Sequence, residues 1–196
     1  MKKIIKDAFI LFLITAVAGL FLALVNEATK GPIAEQKASE KQIALKAVFS
    51  DAFNFELLDV TGEDDSVNVT FDEVYKAYDE AGNNLGYVII VSTKQGYGGT
   101  ITFAMGITIS RHLNGISILK TSETPGLGLE ADKVLVPQFE NKDVDRFTYT
   151  KTGSTSDSEI DAISSATITT RAITNAINAG LDYFDNILSK EGLANE

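Results

Sequence analysis

The chain has 196 residues and a formal net charge of −10, from 27 acidic and 17 basic side chains. An acidic chain of this size argues against nucleic acid as a partner, and it is long enough for one domain with a real core plus an appendage. It has no cysteine, which excludes disulfides, thiolate-bound zinc and iron–sulfur clusters held by this chain. A single histidine, His112, argues against a histidine-based metal site or a Ser-His-Asp triad.

Near the N-terminus lies an uncharged apolar run from Ala8 to Val25. As a helix it would be roughly 27 Å long, enough to cross the hydrocarbon core of a bilayer. A buried helix would show a polar face, and a cleaved signal peptide would end in small residues, whereas Val25 is bulky. We therefore favour an uncleaved membrane anchor. Lys2, Lys3 and Lys6 then hold the N-terminus in the cytoplasm, and the remainder of the chain lies outside.

The predicted organisation has three parts. Residues 1–27 form a cytoplasmic tail and transmembrane anchor, residues 28–60 a stalk, and residues 61–196 one extracytoplasmic domain. Gly31 and Pro32 are compatible with a hinge or with the first turn of a new helix. After them the pattern predicts an amphipathic helix that ends at Phe49. Its expected apolar contacts are Ile33, Ile43, Ala44, Ala47 and Val48.

Four segments of strand composition follow, separated by strong turn signals. They are Glu73–Tyr78, Gly86–Thr93, Thr100–Ser110 and Gly115–Lys120. Their short connections predict antiparallel hairpins, and the stretch from Thr61 to Asn68 before them is expected to be a loop. Gly98 and Gly99, between the second and third strands, are compatible with close approach of a ligand or with a plain bend.

Beyond these strands the sequence predicts a short helix from Ala131 to Phe139, interrupted at Pro137, and two short strands near residues 147–152 and 160–163. A strongly periodic helix comes last. Its predicted apolar face is formed by Ile168, Ala172, Ile173, Ala176, Ile177, Leu181, Phe184 and Leu188. We thus expect an α+β protein, in which a transmembrane helix precedes a domain with an antiparallel sheet and flanking helices.

Residues 161–170, with the sequence DAISSATITT, are crowded with hydroxyl groups directly before this last helix. Ser164 or Ser165 occupies the expected N-cap position, and Thr167 lies in the first turn. A helix N-terminus offers unpaired amide groups and the positive end of the helix dipole, so it favours phosphate. A threonine hydroxyl there can hold a phosphate noncovalently or be esterified by it. The alternative is that these hydroxyl groups only cap the helix.

The same stretch resembles the flavinylation motif of the FMN-binding domain found in the RnfG component of the Rnf electron-transport complex. That domain also occurs in the NqrC component of the sodium-pumping NADH:quinone oxidoreductase. The motif reads Asp, two residues, Ser or Thr, usually Gly, then Ala-Thr, one residue, and Ser or Thr. The matching residues are Asp161, Ser164, Ala166, Thr167 and Thr169. Ser165 replaces the usual glycine, which requires that the backbone there need no positive φ.

A second signature of the same domain is matched in the family's order by Glu123, Thr124, Pro125, Gly126, Leu127 and Gly128. The two glycines and the proline would allow a rigid backbone to lie against a flat flavin ring, with Leu127 over one face. Glu123 or Thr124 would bond to the polar edge of the flavin or to its ribityl hydroxyls. For Glu123 the alternative is a structural charge pair or a turn cap.

The resemblance covers most of the chain and implies an electron-transfer subunit with covalently bound FMN. It implies that Thr167 carries the FMN through a phosphoester, attached by a separate flavin transferase that takes it from FAD with Mg²⁺. The implied partners are the other membrane subunits of an Rnf complex, which couples ferredoxin:NAD⁺ oxidoreduction to Na⁺ or H⁺ transport. The chain has no evident acid–base pair, so a complete active site is expected only in the assembled complex.

An RnfG component is favoured over an NqrC component because the chain is compact. Two alternatives stay open at this point. One is an extracytoplasmic flavoprotein of another electron-transfer system, and the other is a membrane-anchored binding domain without flavin.

Overall fold

The computed structural model describes residues 2–60 and 62–190 and divides the chain after Lys41 into two compact units. Helix α1 runs from Lys2 to Val48 and contains Pro32. The helix therefore continues through the segment for which a hinge was considered, although Pro32 lacks the amide donor for one helical hydrogen bond. The second unit begins at Gln42, before residue 61, where the sequence placed the start of the domain.

The first unit is helical throughout its described residues. In the described chain, one helix, within Lys3–Val48, is long and apolar enough to cross a membrane by length and composition. Its large apolar side chains from Ile4 to Val25 are exposed, as expected for a helix whose surroundings are lipid.

An antiparallel sheet forms the centre of the second unit. In the part of the chain that the structure describes, its strands are β1 (Asn54–Leu58), β2 (Gly62–Asp64), β3 (Val69–Tyr78), β4 (Asn84–Thr93), β5 (Ile101–Thr108) and β6 (Leu113–Lys120). The order across the sheet is β1-β3-β4-β5-β6, with β2 also paired to β3, and all these pairs are antiparallel. The α+β class and the antiparallel pairing of the four predicted strands are thus confirmed.

Strands β1 and β2 were not predicted. The loop expected from Thr61 to Asn68 is wrong in part, because Gly62–Asp64 is a strand; Thr61 lies outside the described residues. Both strands are short and pair only with the long strand β3. Their formation depends on backbone hydrogen bonds to a distant segment, which a local sequence pattern does not reveal.

The two faces of the sheet pack against different helices, because successive side chains of a strand point to opposite sides. Ile89 and Val91 of β4 belong to the larger core, which includes the last helix, whereas Val88 and Ile90 pack against the end of α1. The buried residues at that end are Ala44, Leu45, Val48 and Phe49. The expected contacts of Ile33, Ile43 and Ala47 are wrong, because these side chains are exposed.

The second half of the unit connects the sheet to the last helix. Its elements are α2 (Ala131–Val134), a 3₁₀ turn (Val136–Phe139), β7 (Thr148–Thr150), β8 (Glu159–Asp161) and α3 (Thr167–Tyr183), which continues as π-helix through Phe184–Leu188. Strands β7 and β8 form a separate parallel pair. The predicted apolar face of α3 is buried except for Ile168, whose side chain is 42 % exposed.

Arg111 joins the end of this last helix to the rest of the unit. Its Nε donates a hydrogen bond to Oδ1 of Asp185 at 2.7 Å, and its Nη1 donates to the carbonyl of Val144 at 3.1 Å. The hydrogen bond to Asp185 is the largest influence on Arg111, whose pKa is raised above its ordinary value. The guanidinium therefore stays charged and holds the helix end against the loop before β7.

Candidate functional site

The loop that follows β6 is held in a compact turn by its own backbone. The amides of Leu127 and Leu129 both donate to the carbonyl of Thr124, at 3.1 and 3.2 Å. Gly126 has a φ of +75°, which L-residues rarely adopt, so the glycine allows the chain to reverse there. The turn leads directly into a 3₁₀ turn, Gly128–Glu130, and then α2.

The start of α3 differs from the predicted cap. Ala166 is the N-cap residue and makes no side-chain capping bond, so the expectation that Ser164 or Ser165 caps the helix is wrong. Both serines are exposed and precede the cap. Thr167 is the first helical residue, and the amides of the first turn are left without a side-chain acceptor at the cap.

The backbone conformation at Ser165 also differs from the one that the sequence predicted. Its φ is +64°, in the left-handed region, although a serine in place of glycine was expected to require a negative φ. The reason lies in the turn from Ile163 to Ala166, in which the Ala166 amide donates to the Ile163 carbonyl at 3.0 Å. This turn needs a left-handed residue, and serine adopts that conformation at a cost of about 1 kcal/mol.

A cavity of about 480 Å³ lies where the turn after β6 meets the start of α3. Its lining residues are Tyr97, Glu123, Thr124, Leu127, Gly128, Ser165, Ala166, Thr167, Ile168 and Thr169. The two motifs that the sequence singled out, separated by more than thirty residues, therefore share one cavity. The turn and the helix start each contribute both apolar and hydroxyl-bearing residues to the lining.

Glu123 is the most buried acidic residue of this region, with 6 % of the residue exposed. Its Oε1 accepts a hydrogen bond from the amide of Gly98 at 3.0 Å. Its Oε2 accepts one from the hydroxyl of Thr169 at 2.7 Å. Both carboxylate oxygens thus have hydrogen-bond partners within the protein, in the Gly98 amide and the Thr169 hydroxyl.

Most of the predicted site residues come together in the cavity, and three do not line it. Ser164 is exposed outside the cavity lining, and Gly126 lies in the neighbouring turn. Asp161 is the last residue of β8, and its Oδ1 accepts a hydrogen bond from the Ser154 amide at 2.6 Å. The motif aspartate therefore holds the loop before β8 in place.

Ile168 lines the cavity, although its helical spacing predicted that it would lie on the buried face of α3. In the structure it precedes the part of the helix that meets the sheet, so its side chain stays exposed at the cavity. Tyr97 is 70 % exposed at the same edge, and Leu127 is 37 % exposed. Among the described residues, no group of three or more His, Cys, Asp or Glu side chains could hold a metal ion.

The fold and the two motifs define the class of protein. Residues 96–182 match the model of the FMN-binding domain, so the described cavity belongs to a flavin-binding domain. Residues 1–48, which correspond to α1, match the model of the RnfG N-terminal region. The chain belongs to the RnfG family of Rnf ion-translocating oxidoreductase complexes, as its relatives show along nearly the whole chain.

Among these relatives is the RnfG-type component of the Na⁺-translocating ferredoxin:NAD⁺ oxidoreductase complex of Acetobacterium woodii. It is 32 % identical over 194 residues, which cover 95 % of this chain and 94 % of the relative. The corresponding component of the ion-translocating oxidoreductase complex of Methanosarcina acetivorans is 31 % identical over 183 residues, covering 93 % and 95 %. These matches confirm the resemblance that the motifs indicated.

A solved structure shares the fold. The crystal structure of Shewanella oneidensis NqrC matches with a TM-score of 0.50 and 18 % identity, over 68 % of this chain and 67 % of that chain. At this identity the likeness concerns the arrangement of helices and strands. The family match and the relatives, with the apolar N-terminal helix, place the protein among the membrane-anchored flavoprotein components of oxidoreductase complexes.

Proposed function

We propose that the chain carries FMN on Thr167 through a phosphoester and passes electrons between other subunits of an Rnf complex that couples ferredoxin:NAD⁺ oxidoreduction to Na⁺ or H⁺ transport. The observation that carries this proposal is the position of Thr167. It is the first residue of α3, it lines the cavity shared by both flavin motifs, and its helix begins without a side-chain cap.

The cavity residues fit such a group. FMN combines a flat, largely apolar ring with a polyhydroxyl chain and a phosphate. The exposed side chains of Tyr97, Leu127 and Ile168 provide apolar contact area, and Thr124 provides a hydroxyl. The uncapped amides at the start of α3 stabilise the negative charge of a phosphate on the neighbouring Thr167 hydroxyl.

Bound FMN would supply a centre that accepts electrons singly or in pairs, and the chain's own residues would hold it. Thr167 would tether it, so that it is not lost on the outer side of the membrane, where FMN is not supplied. The apolar residues at the cavity edge would exclude water from one side of the ring. The chain itself needs no acid–base pair for this role.

Attachment would need the flavin transferase and Mg²⁺. In that step the Thr167 oxygen forms a bond to the FMN phosphorus of FAD, the bond between that phosphorus and the bridging oxygen of the diphosphate breaks, and AMP leaves with the bridging oxygen. The hydroxyl proton passes to solvent. The exposed serines before the helix keep the segment around Thr167 accessible to a modifying enzyme.

The cofactor proposal is tested on the full-length chain, purified from cells that make the transferase. Intact-mass analysis should show the chain plus FMN less one water, and the denatured band should fluoresce. Thr167→Val should lose both signals, because only the hydroxyl is removed. Ser156→Ala, which removes an exposed hydroxyl outside both motifs, should keep both. A wild-type chain at its bare mass, or a labelled Thr167→Val chain, would disprove the proposal.

We also propose that the N-terminus is cytoplasmic and the domain extracytoplasmic, because three lysines precede the apolar run. A protease added outside sealed cells with a permeable outer layer should digest the domain. Protection of the domain, with digestion only after lysis, would reverse this orientation.

A further inference from the structure

The carboxylate of Glu123 is enclosed by glycines from two segments. A Cβ atom on Gly96 would lie 2.6 Å from Glu123 Oε1, and one on Gly128 would lie 2.3 Å from Oε2. Neither separation is possible for real atoms, so both positions leave room for this carboxylate. In the second motif, Gly128 thus leaves room for the buried side chain, while Gly126 permits the turn.

Its two hydrogen bonds join the segments that form the cavity. Gly98, which donates to Oε1, follows the cavity residue Tyr97, and Thr169, which donates to Oε2, is two residues after Thr167. The carboxylate lies beside the first turn of α3, to which Thr169 belongs. One buried side chain therefore fixes the distance between the 96–99 loop, its own turn and the helix start.

We infer that Glu123 is a positioning residue for the modification of Thr167: it holds the helix start and the opposite cavity wall in place and does not itself react. This inference rests on the proposed attachment of FMN at Thr167. A small displacement of a reacting group costs a large factor in rate, so loosening this contact should slow the attachment step.

The test uses the full-length chain without flavin, made in cells that lack the transferase and kept in detergent. The rate of FMN incorporation from FAD with Mg²⁺ and purified transferase is followed by intact mass. Glu123→Ala should be modified roughly 10- to 100-fold more slowly than the wild type. Glu123→Gln, which keeps the length and can accept from the Gly98 amide while donating to the Thr169 hydroxyl oxygen, should stay within about fivefold. Glu130→Ala, the same change at a half-buried glutamate paired with Lys133, should match the wild type.

A double-mutant cycle with Thr169→Val separates positioning from general destabilisation. Thr169→Val alone should be modified more slowly than the wild type. The double variant Glu123→Ala/Thr169→Val should be modified no more slowly than Glu123→Ala, because both substitutions remove the same contact between Glu123 and Thr169. All rates are measured where circular dichroism shows each variant to be folded. Hydrogen exchange of the Gly98 amide, which needs no flavin, should accelerate in Glu123→Ala and stay slow in Glu123→Gln.

Four results would overturn the inference while leaving the proposed function intact. The first two are a wild-type rate of FMN incorporation in Glu123→Ala and a wild-type rate in Thr169→Val. The third is a double variant in which the two single rate reductions multiply. The fourth is a Glu123→Gln chain that is modified as slowly as Glu123→Ala, which would mean that the charge itself is required. A wild-type chain that takes up no FMN in this assay would overturn both the inference and the proposed function.

Discussion

The amide of Ile163 donates a hydrogen bond to the hydroxyl of Thr170 at 3.1 Å, so a residue inside α3 holds the turn that precedes the helix. The same hydroxyl donates to the carbonyl of Ala166 at 3.2 Å, and Thr170 is completely buried. One threonine thus fixes both ends of the turn that presents Thr167 to the cavity. The repeated hydroxyl residues of this segment therefore have separate structural tasks.

Thr170→Val should destabilise the domain by about 1–3 kcal/mol, because the buried Ile163 amide would lose its acceptor. Thr174→Val is the matched control. Its hydroxyl donates to the Thr170 carbonyl at 2.9 Å within the same helix. Loss of this hydrogen bond should lower the free energy of unfolding by less than about 1 kcal/mol. Urea unfolding of the two full-length variants measures the difference. Equal midpoints would contradict the role assigned to Thr170.

Gly128→Ala should disturb the site more than Gly126→Ala. The added methyl at 128 meets the Glu123 carboxylate and the Thr169 hydroxyl, so we expect a loss of about 1–3 kcal/mol. At Gly126 a methyl meets nothing within 4 Å, and the cost is that of the positive φ, about 1 kcal/mol. Thermal unfolding gives the stabilities, and exchange of the Gly98 amide should accelerate only in Gly128→Ala. The opposite ranking would remove Gly128 from the packing around Glu123.

Ser165→Gly should stabilise the domain by up to about 1 kcal/mol, since glycine adopts a φ of +64° without the steric cost that serine bears. Ser165→Ala keeps the Cβ atom and should give no such gain. Denaturant midpoints of the two variants are the measurement. If alanine stabilises the chain as much as glycine does, backbone strain at this position is not the cause.

Stability should fall at alkaline pH partly through Tyr75. Burial, followed by the hydrogen bond that its hydroxyl donates to Glu73, raises the pKa of Tyr75 in the folded chain. Below the unfolded value of about 10 the phenol is protonated in both states. As the pH rises above about 10, the unfolded chain loses the proton first, so the free energy of unfolding decreases.

Tyr75→Phe should make that decrease shallower. Urea unfolding between about pH 8 and pH 11 compares the slopes of the wild type and the variant, so the hydrogen bond lost at every pH does not affect the comparison. Parallel curves above about pH 10 would show that Tyr75 does not contribute to the alkaline loss.

Local patterns in the sequence were enough to predict the membrane helix, the four central strands, the last helix and the two motifs. These features rest on local patterns: an apolar run from Ala8 to Val25, strands separated by turn residues, and helical spacing that continues to Leu188. Each pattern expresses short-range chemistry, and so it could be recognised without knowledge of the fold. The family followed from the motifs for the same reason.

Features that depend on contacts between distant segments became known from the three-dimensional fold. In the fold Glu123 contacts Thr169, which lies 46 positions later in the sequence. Positions 96 and 128 require glycine because a Cβ atom at either would clash with the Glu123 carboxylate. The fold paired β1 and β2 with β3, and it left Ile168 at a cavity instead of in the core. It also required a left-handed serine at position 165. Burial and hydrogen-bond partners are set by the whole chain, because a residue's periodicity does not specify which segment it will meet.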